Sequence, residues 1–357
     1  MERIFHYILI FYILNIKNII IYIFQMKNGN TFIKINYSLE LLRLLLSFWV
    51  VLHHCHRTAY KFKGKFHVPT FMIMSFYFYY YTLKTKNIPK MKQRIERIVI
   101  PYISWPIFIF IFDHALFKFY RFSLFTTLIS LQDIIFQLIF GSNYHAIFYY
   151  QFILIFLTLL FNIISFLFNK NLIFILQILL IVAYLFQYKY WNLIIKQKYP
   201  KHFASIGIIF ELLPFSVVGI TMRYLDIIKK LNNFKGLTIF FIGAIIYFIL
   251  EFDIFVSIEG IVYSGIMLNI GGICIFILFS LFSFQNRGII FFFKIITKFT
   301  GGIYYIHMIC FFFLRQKFKF IKKMTLHGSV VIYIVSYIIC FFGNKLSFNN
   351  KMKLLFN

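Results

Sequence analysis

Ten apolar runs follow one another along this chain, at residues 38–58, 66–84, 98–117, 146–168, 171–190, 206–224, 236–252, 260–284, 294–314 and 328–345. Each approaches the roughly 20 residues a helix needs to cross a bilayer. The gaps between them are under 30 residues and leave no room for a soluble domain. A β-barrel is excluded, because its strands alternate apolar and polar residues and these runs do not. A soluble core is excluded too. Only 13% of the 357 residues are charged, whereas a water-soluble surface takes about a quarter of a chain's residues. The expected fold is all-α: a polytopic, multi-pass integral membrane helical bundle of about ten transmembrane helices in a lipid bilayer.

The net charge of +27 does not point to nucleic acid. The basic residues sit in short stretches between apolar runs, where they meet headgroups or set topology. High Phe, Ile, Tyr, Asn and Lys content also resembles the drift of an AT-rich genome, so single lysines carry less weight. The densest basic cluster is Lys84, Lys86, Lys90, Lys92, Arg94 and Arg97, read as a loop. Placing it in the cytoplasm puts Glu251, Asp253 and Glu259 outside, in line with the positive-inside rule. The same placement leaves the basic stretches 57–65 and 315–323 outside. Residues 1–35 form an extension whose apolar run, 4–24, is broken by Asn15, Lys17 and Asn18. It reads as an extra or interfacial helix, or as the product of a start placed upstream of Met26. Residues 36–345 make the membrane domain, and 346–357 a short basic tail.

Ionisable residues within spans are expensive and therefore functional candidates. The first span holds Glu40, Arg43, Ser47, His53 and His54. Eleven residues separate Arg43 from His54, which on a helix returns to within about 20° of the same face after a rise of roughly 16 Å. One face would present a fixed cation, then Ser47, then an imidazole, while His53 points about 100° away. A guanidinium grips phosphate or carboxylate, and an imidazole takes a proton from a hydroxyl. A second reading has Arg43 snorkelling to headgroups and His54 lying at the interface. His53, His54, Cys55 and His56 fan around the axis and do not converge as the i, i+4 pair of a zinc helix does, so no metal site is expected. The four cysteines, far apart and without a CxxC pair, imply neither a disulfide framework nor a zinc site. Glu211 beside Pro214, Asp113-His114 and Arg223 are expected to be structural.

From about residue 36 to 345 the chain resembles the membrane acyltransferase family 3, polytopic enzymes that acylate surface polysaccharides and other extracytoplasmic acceptors. The resemblance rests on four signatures in order: Glu40, Leu42-Arg43 and His54; His67-Val-Pro69-Thr-Phe71 with Ser75; Arg94, Arg97 and Pro101-Tyr102; and Gly301-Gly302-Ile-Tyr304-Tyr-Ile-His307. It implies His54 as catalytic base and Arg43 as an essential partner near the donor. It further implies substrate-binding roles for Arg94, Arg97, His145 and His307. The implied reaction transfers an acyl group, acetyl above all, from acyl-CoA (acetyl-CoA) to a hydroxyl of a cell-surface carbohydrate or lipid-linked sugar, with no bound cofactor. His54 would deprotonate the hydroxyl, which attacks the thioester; an acyl-histidine route stays open. The implied location is the bacterial cytoplasmic membrane. Two positions depart from the family pattern: Phe76 replaces the glycine after Ser75, and His145-Ala-Ile147-Phe148 lacks a tryptophan. The alternatives are an exporter of polysaccharide or lipid-linked sugar on the same scaffold, and an inactive paralogue.

Overall fold

A computed structural model describes residues 37–55, 66–120, 130–141, 148–196, 204–231, 242–243, 266–281, 291, 293, 295–318, 326–347 and 349–356. The chain divides into two units, residues 1–35 and 36–357, and all described residues belong to the second. Among them the structure is helical, without a strand. This is what lipid demands of a chain that must satisfy its own backbone hydrogen bonds.

The helices are α1 Tyr37–Cys55, α2 His67–Lys84, α3 Ile88–Tyr120, α4 Leu131–Phe140, α5 Phe148–Leu167, α6 Leu172–Lys196, α7 Ala204–Tyr224, α8 Ile227–Lys230, α9 Ile266–Leu281, α10 Thr300–Lys317, α11 Leu326–Leu346 and α12 Asn350–Lys353. Short 3-10 turns occupy Asn169–Asn171 and Thr297–Phe299. Nine of the ten apolar runs overlap one of these helices; of the run 236–252 only residues 242–243 are described, and they are helical. By length and composition, α1, α3, α5 and α11 are each able to cross a membrane alone, and shorter apolar helices accompany them. Most residues of α2 are buried within the bundle, and a helix shielded from lipid tolerates the tyrosines and histidine it carries.

Two expectations need correction. The basic stretch read as a loop is helical. The chain turns at Lys86, in the left-handed region at φ 48°, and Asn87 Oδ1 accepts from Lys90 N at 3.0 Å. The helix then runs unbroken for 33 residues, about 50 Å at 1.5 Å per residue, which exceeds the roughly 30 Å hydrocarbon core. Its charged first turns thus place Arg94 and Arg97 on a rigid element. The second correction is α4, which falls in what looked like a connecting gap. Ser130 and Asp133 form a capping box at its start, and Gly141 ends it at φ 71°.

Two apolar cores meet along α1. Leu39, Leu42 and Leu46 pack with α2, α5, α6, α7 and α9. Val51 and Cys55 pack with α3, α4, α10 and α11. The remaining face of α1 carries Arg43, Ser47, Val50 and His54, spaced i, i+4, i+7, i+11.

Among the described residues the most extensive helix contact is that of α2 with α7. A Cβ added at Gly219 would overlap the Ile73 carbonyl oxygen, so the two backbones touch as small-residue membrane interfaces allow. Arg223 of α7 reinforces the pair, with Nη1 donating to Tyr77 Oη at 3.0 Å and Nη2 to Tyr81 Oη at 3.3 Å. Gly219→Val is expected to cost about 1–3 kcal/mol by overpacking, read as earlier thermal unfolding in detergent; an unchanged midpoint would contradict this packing.

The C-terminal residues fold back. Asn349 caps α12, and Trp105 Nε1 donates to the Leu355 carbonyl at 3.2 Å. Phe356 fills a slot that only glycine leaves open, against Gly302 of α10 and Gly343 of α11.

Candidate functional site

Arg43 sits in the second turn of α1, fixed from two sides. It pairs with Glu40 at 2.8 Å, and its Nη2 donates to the Thr297 carbonyl at 2.7 Å. Its Nε–H is buried and lacks a hydrogen-bond partner among the described residues, so the guanidinium keeps a donor to spare. One turn on, Ser47 Oγ donates to Leu44 O at 2.7 Å and lies 2.9 Å from Tyr333 Oη, tying α1 to α11.

These residues open onto a cavity of about 500 Å³. Its wall takes Arg43, Ser47 and Val50 from α1, Val68 and Phe71 from α2, and Arg97 and Pro101 from α3. Tyr150 and Gln151 come from α5, and Lys298, Thr300, Tyr304 and Tyr305 from the start of α10 and the turn before it, with Leu354 from the folded-back tail. Pro101 lacks an N–H, so the carbonyl four residues earlier, at Arg97, loses its helical donor. Three cations, Arg43, Arg97 and Lys298, line this one space. Among the described residues, the only carboxylate paired with any of them is Glu40.

One turn on from Val50 of α1 and Tyr304 of α10 come His54 and His307. Their rings face each other with centroids 5.5 Å apart. His307 is fully buried, with Nδ1 3.1 Å from the Ile303 carbonyl. That contact assigns the proton to Nδ1 and leaves Nε2 as an acceptor. Nε2 has no hydrogen-bond partner among the described residues. The His53 ring lies 5.5 Å from that of His54 and 5.5 Å from that of His67. Four imidazoles, His67, His53, His54 and His307, therefore neighbour one another in succession. Among the described residues no three His, Cys, Asp or Glu side chains converge as a metal ion would need.

The six residues expected from sequence part company here. Arg43 and Arg97 share the cavity, and His54 and His307 form a ring pair outside its wall. Arg94 is absent from the cavity wall. It bridges α2 and α5 instead, with Nη2 donating to Ser75 Oγ at 2.8 Å and Nε to Thr158 Oγ1 at 3.2 Å. Its guanidinium also lies 4.2 Å from the Tyr79 ring centroid. His145 lies outside the described residues, as does Ile147. Phe76 is fully buried and packs edge-on against Phe161 at 5.0 Å, so the bundle accommodates the ring where the family has glycine. Asp113 and Glu211 are buried, away from the cavity wall.

Sequence reasoning missed Lys298, Tyr150, Gln151, Tyr304 and Tyr305 as cavity residues. Only Tyr304 carried a signal, through its place in the Tyr-x-x-His motif.

A family model described as an acyltransferase domain matches residues 36–344. No curated protein matches, and no solved structure does.

Proposed function

The chain belongs to this acyltransferase family, and from that premise we propose that it moves an acetyl group from acetyl-CoA to a hydroxyl of a cell-surface carbohydrate or lipid-linked sugar. The observation that carries the reading is the arrangement along one face of α1: Arg43, which shares a cavity with Arg97 and Lys298, and, eleven residues on, His54, whose ring is paired with that of His307. Arg43 and His54 are about 16 Å apart along the helix axis, a span suited to an extended phosphopantetheine arm. Phosphates held by guanidinium groups would leave the thioester beside His54.

In this scheme His54 takes the proton of the acceptor hydroxyl. The oxygen attacks the thioester carbonyl, the C–S bond breaks, and the coenzyme A thiolate leaves, taking the proton back from the His54 imidazolium. Arg43, tied to Glu40 and Thr297, positions the donor without reorganising. His307 Nε2 offers an acceptor for a second hydroxyl of the sugar. The basic first turns of α3 mark the cytoplasmic side under the positive-inside rule, so the donor would come from the cytoplasm.

Membranes containing the chain, given acetyl-CoA labelled in the acetyl group, are expected to move label into envelope glycan above membranes lacking it. Label at background level for acetyl and several longer acyl donors would overturn the reading.

A further inference from the structure

We infer that Lys298, held by Asn344, is a phosphate-binding residue of this cavity, gripping the diphosphate of the acyl-CoA donor together with Arg43 and Arg97. The inference rests on the acyltransferase reading and adds a residue to it.

Four observations carry it. Lys298 lines the same 500 Å³ cavity as Arg43 and Arg97. The 3-10 turn Thr297–Phe299 that bears it also supplies the carbonyl that fixes Arg43, so one backbone element sets the spacing of both cations. Nζ donates to Asn344 Oδ1 of α11 at 3.2 Å and lies 5.4 Å from the Phe299 ring centroid. Among the described residues the bond to Asn344 is the only hydrogen bond of the ammonium, which has three donors. Among the described residues neither Lys298 nor Arg97 has a carboxylate partner, while Glu40 is bound to Arg43.

A lysine between membrane helices without a counter-ion is costly and is kept where it meets an anion. The shape fits a diphosphate better than a carboxylate. One carboxylate is satisfied by a single guanidinium, whereas three separated cations suit charge spread over several oxygens. Tyr150, Tyr304 and Tyr305 line the same cavity. Such a diphosphate has two sources, the donor nucleotide and a lipid diphosphate carrying the acceptor sugar. Lys298 follows Thr297, whose carbonyl holds Arg43, and Arg43 is roughly 16 Å along α1 from His54; this favours the donor.

The test uses the full chain in lipid nanodiscs, as wild type, Lys298→Met, Lys298→Arg and Asn344→Leu. Donors are acetyl-CoA and S-acetylpantetheine, which lacks every phosphate. Lys298→Met is expected to raise KM for acetyl-CoA about tenfold or more, the loss of one charge-assisted hydrogen bond. Turnover of S-acetylpantetheine stays at the wild-type level, and Lys298→Arg recovers most of the acetyl-CoA affinity. Asn344→Leu, which frees the ammonium without removing it, gives a smaller rise.

Equal losses with both donors would make Lys298 structural and overturn the inference, as would no loss with either. An unchanged KM for acetyl-CoA with weakened inhibition by farnesyl diphosphate would overturn the donor assignment in favour of the acceptor's phosphate. A parallel arm needs no turnover: protection of the wild type against heat by coenzyme A, absent in Lys298→Met. Protection that depends on Lys298, without acyl transfer, would sink the proposed activity and keep the phosphate site. Absence of protection and transfer in the wild type would sink both.

Discussion

His54→Ala is expected to lower acyl transfer by about 10²–10⁴-fold, the range for loss of a positioned general base, while donor binding is kept. The split follows from the architecture. His54 stands one turn past Val50 on α1 and does not contribute to the wall of the cation-lined cavity. Its partner His307 keeps its own anchor at the Ile303 carbonyl, so the α10 side of the pair stays in place when His54 is cut back. KM for acetyl-CoA should therefore change little while kcat collapses. His54→Gln is expected to be nearly as slow, since an amide fills the space and hydrogen-bonds but does not take the proton. Steady-state kinetics in nanodiscs check this. A variant retaining more than a tenth of wild-type kcat would remove His54 from the role of base.

Substitution of Arg43 is expected to show the opposite split and to carry a structural cost. Arg43→Lys keeps the charge but loses the planar guanidinium, whose Nη2 meets both Glu40 and the Thr297 carbonyl while its Nε–H has no partner among the described residues. An ammonium on a flexible stem does not reproduce that set of donors. KM for acetyl-CoA should rise about 10–100-fold, the equivalent of one charged hydrogen bond at about 1.5–3 kcal/mol. Arg43→Ala leaves the Glu40 carboxylate unpaired between helices. A buried pair that loses one member destabilises by about 3–5 kcal/mol. With about a third of each side chain exposed, solvent screening reduces that cost here. Glu40→Gln combined with Arg43→Ala should recover folding and not affinity. Recovery of both would make Arg43 a structural residue only.

The membrane character was legible because lipid imposes it on every turn of an apolar helix. The Arg43–His54 face was legible for a similar reason, since an eleven-residue spacing has one geometric consequence on a helix. Hydropathy failed where a helix leaves the apolar zone. The first three turns of α3 carry Lys90, Lys92, Arg94 and Arg97, and charge alone made them look like a loop. Yet Asn87, Pro89 in the first turn, and the absence of a breaker until Pro101 all favour helix there. For α4 the Ser130–Asp133 box and Gly141 were present and sufficient, but the apolar run between them is too short to read as a span.

The composition of the cavity was beyond reach for a different reason. Lys298 and Arg43 are joined through Thr297, 254 residues along the chain from Arg43, and no local pattern signals such a meeting. The abundance of lysine then hid Lys298 among residues that compositional drift explains equally well. Arg94 and Arg97 looked equivalent in sequence, and packing separates them. Ser75, Thr158 and Tyr79 take up the first, and the second turns to the cavity.

The orientation of the donor along α1 is open to one direct measurement. The 2-pyridyl disulfide of coenzyme A exchanges with an accessible thiol, forming a mixed disulfide and releasing thiopyridone. It would be offered to the full chain as wild type, His54→Cys and Arg97→Cys, with the adduct located by mass spectrometry of proteolytic fragments. The four native cysteines are buried, and the wild type sets their background. The predicted result is rapid coenzyme A adduct formation at position 54 in the His54→Cys chain, suppressed by excess acetyl-CoA, and little at position 97. Adduct formation that prefers position 97, or that at position 54 never exceeds the wild-type background, would contradict a donor laid with its phosphates at Arg43 and its thioester at His54.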